Sequence, residues 1–301
     1  MRKWISRLVA LLLLIMVAAT VIPMVRADLW WVRMFDFPRM QIAAALAVLI
    51  VLYAVLAGWR GIVVTLLSLA ALGVQLLALW PYQPFAGKMV ESAAQCAKED
   101  RLRVLMVNVQ RSNEDAQQVM ELARDKQPDI FLVLETNERW DRDLAPLGDL
   151  FPHKMQAIPK SATYYGMHVY ATHPIEDGEF LYPFGVQTPL FVGNIAHPAR
   201  TVEFLGIHPR PPQRGQPSTM RDAAVLTAAR IARESGRVSI AAGDYNATPW
   251  EDTTRRALRI GGFLDPRQGR GPLVSFDAKS AWMKWPLDQI VFQPGLGLVE
   301  F

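Results

Sequence analysis

The stretch "VSIAAGDYNATPW" (238–250) runs small and apolar residues into a glycine, then delivers an acid, an aromatic and an amide before Pro249 stops it. It reads as a strand that ends in the open. Residues two apart on an extended chain share a face, so Asp244 and Asn246 are expected on one side and Tyr245 on the other. Working outward, the same placement of polar groups recurs. "RLRVLMVNV" (101–109) is an apolar strand with Asn108 near its end, and "IFLVLE" (130–135) is a second strand closing on Glu135. Between them, "NEDAQQVMELARDKQPD" (113–129) has helical spacing through Ala116, Val119, Met120 and Ala123, and Pro128 closes it. Three β-type segments follow, "YYGMHVYAT" (164–172), "PLFVGNIAH" (189–197) and "TVEFLGIH" (201–208), the last ending in His208. A helix at about 217–235, a short helix from Trp250 and a final strand "LDQIVFQ" (287–293), opened by Asp288, complete the pattern. Two βα units and several hairpin-like strands predict an α/β fold with mixed sheets.

Ligand-binding groups gather outside strand ends in open α/β sheets, so Asn108, Glu135, His208, Asp244, Asn246 and Asp288 are expected to face one cleft. Their chemistry is compatible. Oxygen ligands from Glu and Asn suit a hard cation such as Mg²⁺, which keeps waters and binds phosphate oxygens. An Asp can orient or deprotonate an attacking water, and a His can stabilise charge or protonate a leaving oxygen.

The first 80 residues are of another kind. Apolar runs at 5–25, 40–59 and 61–80 each have about the 20 residues a helix needs to cross a bilayer core. Trp59 and Trp80 stand at run ends, where interfacial aromatics belong. Arg2, Lys3 and Arg7 hold the amino terminus on the cytoplasmic side, and Arg60 marks the turn between the second and third runs. Three crossings place the remainder outside the inner (cytoplasmic) membrane. Cleavage of a signal peptide after Ala27 leaves two crossings and the same orientation. The net charge of +4 divides into 7 Lys+Arg against 2 Asp+Glu over residues 1–87 and 25 against 26 over 88–301. The basic excess therefore belongs to the membrane part and is no argument for a nucleic-acid surface. Cys96 is the single cysteine, so no intrachain disulfide can form. Residues 81–100, prolines first and charges last, read as a linker to a domain over 101–301.

Four of these segments, in this order, resemble the motifs of the endonuclease/exonuclease/phosphatase superfamily, the DNase-like enzymes. "LRVLMVNVQ" is similar to its opening strand with the metal-site Asn, and "PDIFLVLET" to the motif with the metal-binding Glu. "FLGIHPRPP" is similar to the strand ending in the active-site His, and "AGDYNATPW" to the G-D-x-N signature. With helices in front, the match narrows to membrane-anchored bacterial members. The resemblance implies a four-layer α/β sandwich and a Mg²⁺-dependent (or Mn²⁺-dependent) phosphoester hydrolase. It assigns the metal to Glu135 with Asn108 assisting, the water to Asp244, and phosphate contacts to Asn246 and His208. Asp288 matches the residue that orients the His of a closing Ser-Asp-His motif. No histidine follows His208 in these 301 residues, so impaired catalysis and a missing last strand are expected. The substrate implied is a phosphoester: nucleic acid, phospholipid or a small phosphate ester. The lipid bilayer is the other partner, and no protein partner is indicated. A phospholipid head-group phosphodiesterase and a non-catalytic binder that keeps the fold are the rival readings.

Most of the remaining histidines, His153, His168, His173 and His197, read as surface or partly buried strand residues; Tyr164 and Tyr165 read as packing, with facing the cleft as the alternative. "RGQPSTMRD" (214–222) reads as a solvated helix start by default, with contact to an anionic substrate as the alternative. Trp282 and Trp285 flank a loop in which substrate stacking and packing are not separable from sequence.

Overall fold

A computed structural model describes residues 1–158, 160, 165–185, 188–277 and 279–301, so Tyr164 lies outside the described residues. The chain divides into two compact units. The first comprises Met1–Lys88, Pro212–Thr219 and Arg267–Pro286. Its helices are α1 (Arg2–Val21), α2 (Trp30–Arg33), α3 (Arg39–Ala57) and α4 (Ile62–Leu79). Two stretches are long and apolar enough to cross a membrane, Arg2–Met24 and Arg39–Tyr82, with mean hydropathy 2.6 and 2.5. The second is not one rod. It breaks at Gly58, whose φ of 57° is a conformation open to glycine, and resumes after a 3-10 turn over Gly58–Gly61. A side chain at Gly61 would meet the Tyr53 ring at 2.7 Å, so the turn is tight as well as sharp.

Leu13, Ile42, Leu46, Ile50 and Ala71 form the seam between α1, α3 and α4. The outward faces are apolar too: Val48, Val55 and Leu77 are 68%, 69% and 76% exposed. A helix that is apolar all round has no face for water, which is the pattern of a helix solvated by lipid. One end of the seam is polar. Buried Asp36 pairs with Arg33 at 3.3 Å and Arg39 at 2.6 Å; Arg39 donates to Gln75 at 3.1 Å, and Gln75 to Thr20 at 2.9 Å. This chain of bonds joins the start of α3 to the ends of α4 and α1. Buried charges persist when paired and hydrogen-bonded in this way.

The second unit comprises Met89–Pro211, Met220–Pro266 and Leu287–Phe301. Along the chain come β1 (Val104–Asn108), α5 (Ala116–Lys126), β2 (Ile130–Thr136), α6 (Glu138–Asp143), β3 (His153–Ala157) and β4 (Gly166–Ala171). Then follow β5 (Ile175–Leu181), β6 (Leu190–His197), β7 (Arg200–Ile207), α7 (Thr219–Glu234, its first residue in the other unit), β8 (Ser239–Asp244), α8 (Asp252–Gly261) and β9 (Asp288–Phe292). One sheet has the order β1-β2-β4-β3 and the other β5-β6-β7-β8-β9. The pairs β1–β2 and β7–β8 are parallel, each bridged by a helix, as parallel neighbours require; the other pairs are antiparallel. Ile130, Leu132 and Val169 of the first sheet meet Phe191, Phe204 and Ile240 of the second in a shared core. α5 and α6 cover the outer face of the first sheet through Val119, Ala123 and Trp140. α7 and α8 cover the second through Val225, Ala229 and Leu258. Helices, sheet, sheet, helices: the expected four-layer sandwich is the fold. Central strands buried on both faces explain why "IFLVLE" and "SIAAG" read as unbroken apolar runs.

Strands β3 and β5 and helix α6 have no counterpart in the sequence reading. "HKMQA" and "IEDGEFL" are strands with polar, exposed positions, so their apolar alternation is weak. Residues Met89–Asp100 belong to the sandwich unit, where Val90 enters the core and the Ala93 N–H donates to the Leu298 carbonyl at 2.6 Å.

Candidate active site

Glu135 leaves its strand by a bulge. The β2–β4 register runs from Leu134↔Met167 to Thr136↔Gly166, so Glu135 is the unpaired extra residue, and its φ is 62°. A bulge of this kind re-aims one side chain out of the pleat. It also demands close approach opposite: a Cβ at Gly166 would lie 2.1 Å from the Thr136 carbonyl oxygen. Positive φ at a non-glycine residue costs about 1–3 kcal/mol and persists when surroundings over-determine it. Here they do. Thr136 Oγ1 is 2.9 Å from His168 Nδ1, and His168 Nε2 is 3.0 Å from Asp141 Oδ1, which also receives Lys154 Nζ at 3.3 Å. His168 is fully buried. Burial pushes its imidazole below the ordinary histidine range, against the pull of the Asp141 carboxylate.

Asp244 ends β8, and the glycine before it is obligatory: a Cβ at Gly243 would sit 1.8 Å from the Ile207 carbonyl oxygen. The strand does not continue to Asn246, whose φ is 47°. Asp244 and Asn246 are neighbours through a local turn, not strand alternation, and the Asn246 N–H donates to Asp244 Oδ1 at 2.9 Å. Asn246 Nδ2 donates to the Pro209 carbonyl at 2.9 Å, and the Asn246 carbonyl accepts from Arg221 Nη1 at 2.8 Å. Tyr245 turns into the core under α7 and α8.

These strand ends meet. Asn108 Nδ2 donates to Glu135 Oε1 at 2.9 Å and to Asp244 Oδ2 at 3.1 Å, while its Oδ1 accepts from the Gln110 N–H at 3.0 Å. The Arg111 N–H donates to the second Glu135 oxygen at 3.2 Å. His208, on the residue after β7, is 2% exposed, with Nε2 3.8 Å from Glu135 Oε1 and 4.0 Å from Asp244 Oδ2. Those separations exceed a direct hydrogen bond. Tyr165 packs on the His208 ring at 4.7 Å between centroids. Burial raises its phenol, Glu135 and Asp244 add to that, and Arg210 and Arg111 oppose it. Asp288 lies opposite Asp244 in the β8–β9 register, where directly paired residues share a face.

Two carboxylates that converge on one amide suit a hard divalent cation by donor type. Among the described residues no three or more His, Cys, Asp or Glu groups are arranged to hold an ion. Mg²⁺ is commonly held by one or two carboxylates plus water and substrate oxygens, so this donor set fits Mg²⁺ better than a cage-bound metal.

The sequence reading missed Arg221, which it placed in a solvated helix start. Its guanidinium is buried and pairs with Glu251 at 2.7 Å and Asp222 at 2.7 Å, beneath the 246–251 turn. Glu251 in turn accepts from the Thr248 N–H at 2.9 Å. The one available signal was the i,i+4 apolar spacing of Val225 and Ala229, which puts Arg221 on the inward face of α7.

A family model described as Endonuclease/Exonuclease/phosphatase family matches residues 107–301. None of the curated proteins matches the chain. Among solved structures, truncated TDP2 of Caenorhabditis elegans is similar with a TM-score of 0.53 at 16% identity, over 65% of this chain and 85% of that one. SmcL is similar with 0.53 at 15%, over 64% and 83%. Beta toxin of Staphylococcus aureus, a mutant with bound magnesium ions, is similar with 0.52 at 13%, over 64% and 84%. At these identities the likeness is one of fold.

Proposed function

We propose that this chain, which belongs to the endonuclease/exonuclease/phosphatase family, is a membrane-anchored, divalent-metal-dependent phosphoester hydrolase. The observation that carries the reading is the convergence of Glu135 and Asp244 on Asn108 with His208 Nε2 about 4 Å away. Glu135, with Asn108 beside it, would hold Mg²⁺ or Mn²⁺; a magnesium-bound structure of a protein of this fold supports the choice. The cation would supply Lewis-acid polarisation of a phosphoryl oxygen.

The rest is done by side chains. Asp244, fixed by the Asn246 N–H and Asn108, orients the attacking water and accepts its proton. His208 Nε2 donates to a phosphoryl oxygen as negative charge builds there. The Asn246 amide spends one N–H on Pro209 and offers its second to the phosphate. Asp288, paired opposite Asp244 across β8 and β9, serves the same site. α1, α3 and α4 cross the inner membrane, with Arg2, Lys3 and Arg7 on the cytoplasmic side and the sandwich outside it.

The test is hydrolysis of a generic phosphodiester, bis(p-nitrophenyl) phosphate, by the full chain in nanodiscs under Mg²⁺ titration. Glu135→Gln and Asp244→Asn are expected to lower turnover by about 10²-fold or more. Absence of metal-dependent turnover refutes the hydrolase in favour of a binder. Comparing phospholipid with DNA as substrate separates the two larger substrate classes.

A further inference from the structure

The segment Arg267–Pro286 lies in sequence between two sandwich elements, yet it belongs to the compact unit of the apolar helices. It is tied there at several points. Gln41 Nε2 donates to the Trp282 carbonyl at 2.7 Å, Phe37 packs on Trp285 at 5.4 Å, and the Gly269 N–H donates to the Pro81 carbonyl at 2.8 Å. Phe37, Gln41 and Pro81 lie where α3 begins and α4 has ended, so the loop sits at one end of the apolar bundle. The loop holds its own shape: Phe276 stacks on Trp285 at 5.8 Å, and the Asp277 N–H donates to the Met283 carbonyl at 2.8 Å.

What it turns outward is apolar. Leu273, Val274, Phe276 and Trp282 are 45%, 42%, 45% and 69% exposed. Burying large apolar side chains is favourable, so a loop that presents four of them is built to meet something other than water. Trp80 and Phe85, packed on each other at 5.4 Å, are exposed at the same end of α4. Lys279, between Phe276 and Trp282 in sequence, is exposed. Tryptophans and lysines at the end of an apolar bundle are the composition of a membrane–water interface.

We propose that Arg267–Pro286 is a second membrane contact, seated at headgroup level in the bilayer that α1, α3 and α4 cross, through Leu273, Val274, Phe276 and Trp282. This rests on the reading of those helices as membrane-spanning. The occupant is lipid because the loop is continuous with the helix ends through Gln41, Phe37 and Pro81.

The experiment uses the full chain with Cys96→Ser, carrying a single environment-sensitive fluorophore, in phosphatidylcholine nanodiscs with lipid-borne spin-label quenchers. Labels at Leu273→Cys and Trp282→Cys are expected to be quenched roughly threefold more than one at Glu114→Cys on the sandwich surface, with a Val48→Cys label on α3 as the lipid-facing control. If the Val48 label is quenched and the two loop labels behave like Glu114, the loop contact is overturned and the anchored reading stands. If the Val48 label is not quenched either, both fall.

Discussion

Replacing Arg221 by methionine removes a buried cation while keeping the length and apolar bulk of the stem. Arg221 is 1% exposed and Glu251 also 1%, with 2.7 Å between Nη2 and the carboxylate. The buried Glu251 carboxylate loses its ion pair with the guanidinium, and the Asn246 carbonyl loses its 2.8 Å donor. Removing one member of a buried ion pair costs about 3–5 kcal/mol, because the survivor stays charged and desolvated. For a unit of this size about 2–4 °C of melting temperature corresponds to each kcal/mol, so the drop is roughly 6–20 °C. The assay is thermal unfolding of the full chain in detergent, followed by near-UV circular dichroism from the sandwich aromatics. The same melt on Arg221→Met with Glu251→Gln separates causes: the amide still accepts from the Thr248 N–H but carries no charge. At least half the lost stability is expected to return. A single variant within about 2 °C of the parent refutes the argument that the pair is desolvated. A double variant no better than the single refutes the argument that a stranded charge is the cost.

Gly243→Ala places a methyl 1.8 Å from the Ile207 carbonyl oxygen, and backbone cannot rotate away as a side chain can. Overpacking of this kind costs about 1–3 kcal/mol. Because Asp244 and His208 directly follow the two residues that clash, phosphodiester turnover is expected to fall further than the melting temperature implies; equal losses count against the site assignment. His168 is held below its ordinary value of 6.5 by burial, so the unfolded chain binds that proton first. Its contribution is present above pH 6.5 and is lost as pH falls through the depressed folded value, and His168→Gln should flatten part of that acid slope in a pH series of melts. His173, also depressed by burial, keeps its own share of the slope.

How far the site could be read in advance differs residue by residue. Asn108, Glu135, His208 and Asp244 stood out because each is a polar group closing an apolar run, a violation of pattern visible one strand at a time. That Glu135 is aimed by a bulge was not visible, since "LET" carries no turn residue; the instruction lies in Gly166, some thirty positions on. Asn246 was expected beside Asp244 for the wrong local reason, because a left-handed residue and an extended one look alike in a G-D-x-N string. The full burial of His168 and Arg221 was not legible because burial of a polar group depends on partners, Asp141 and Glu251, that lie 27 and 30 positions away.

By itself, then, the sequence determined the apolar helices, the βα alternation and the chemistry waiting at the strand ends. These follow from periodicity and composition, which act over a few neighbouring residues. Only the tertiary structure decided which strand ends meet, how Glu135 is turned out of its sheet, what neutralises Arg221, and that an aromatic loop from the middle of the sandwich sequence packs with the apolar helices. Those depend on contacts between distant parts of the chain, and no local pattern encodes a distant partner's position.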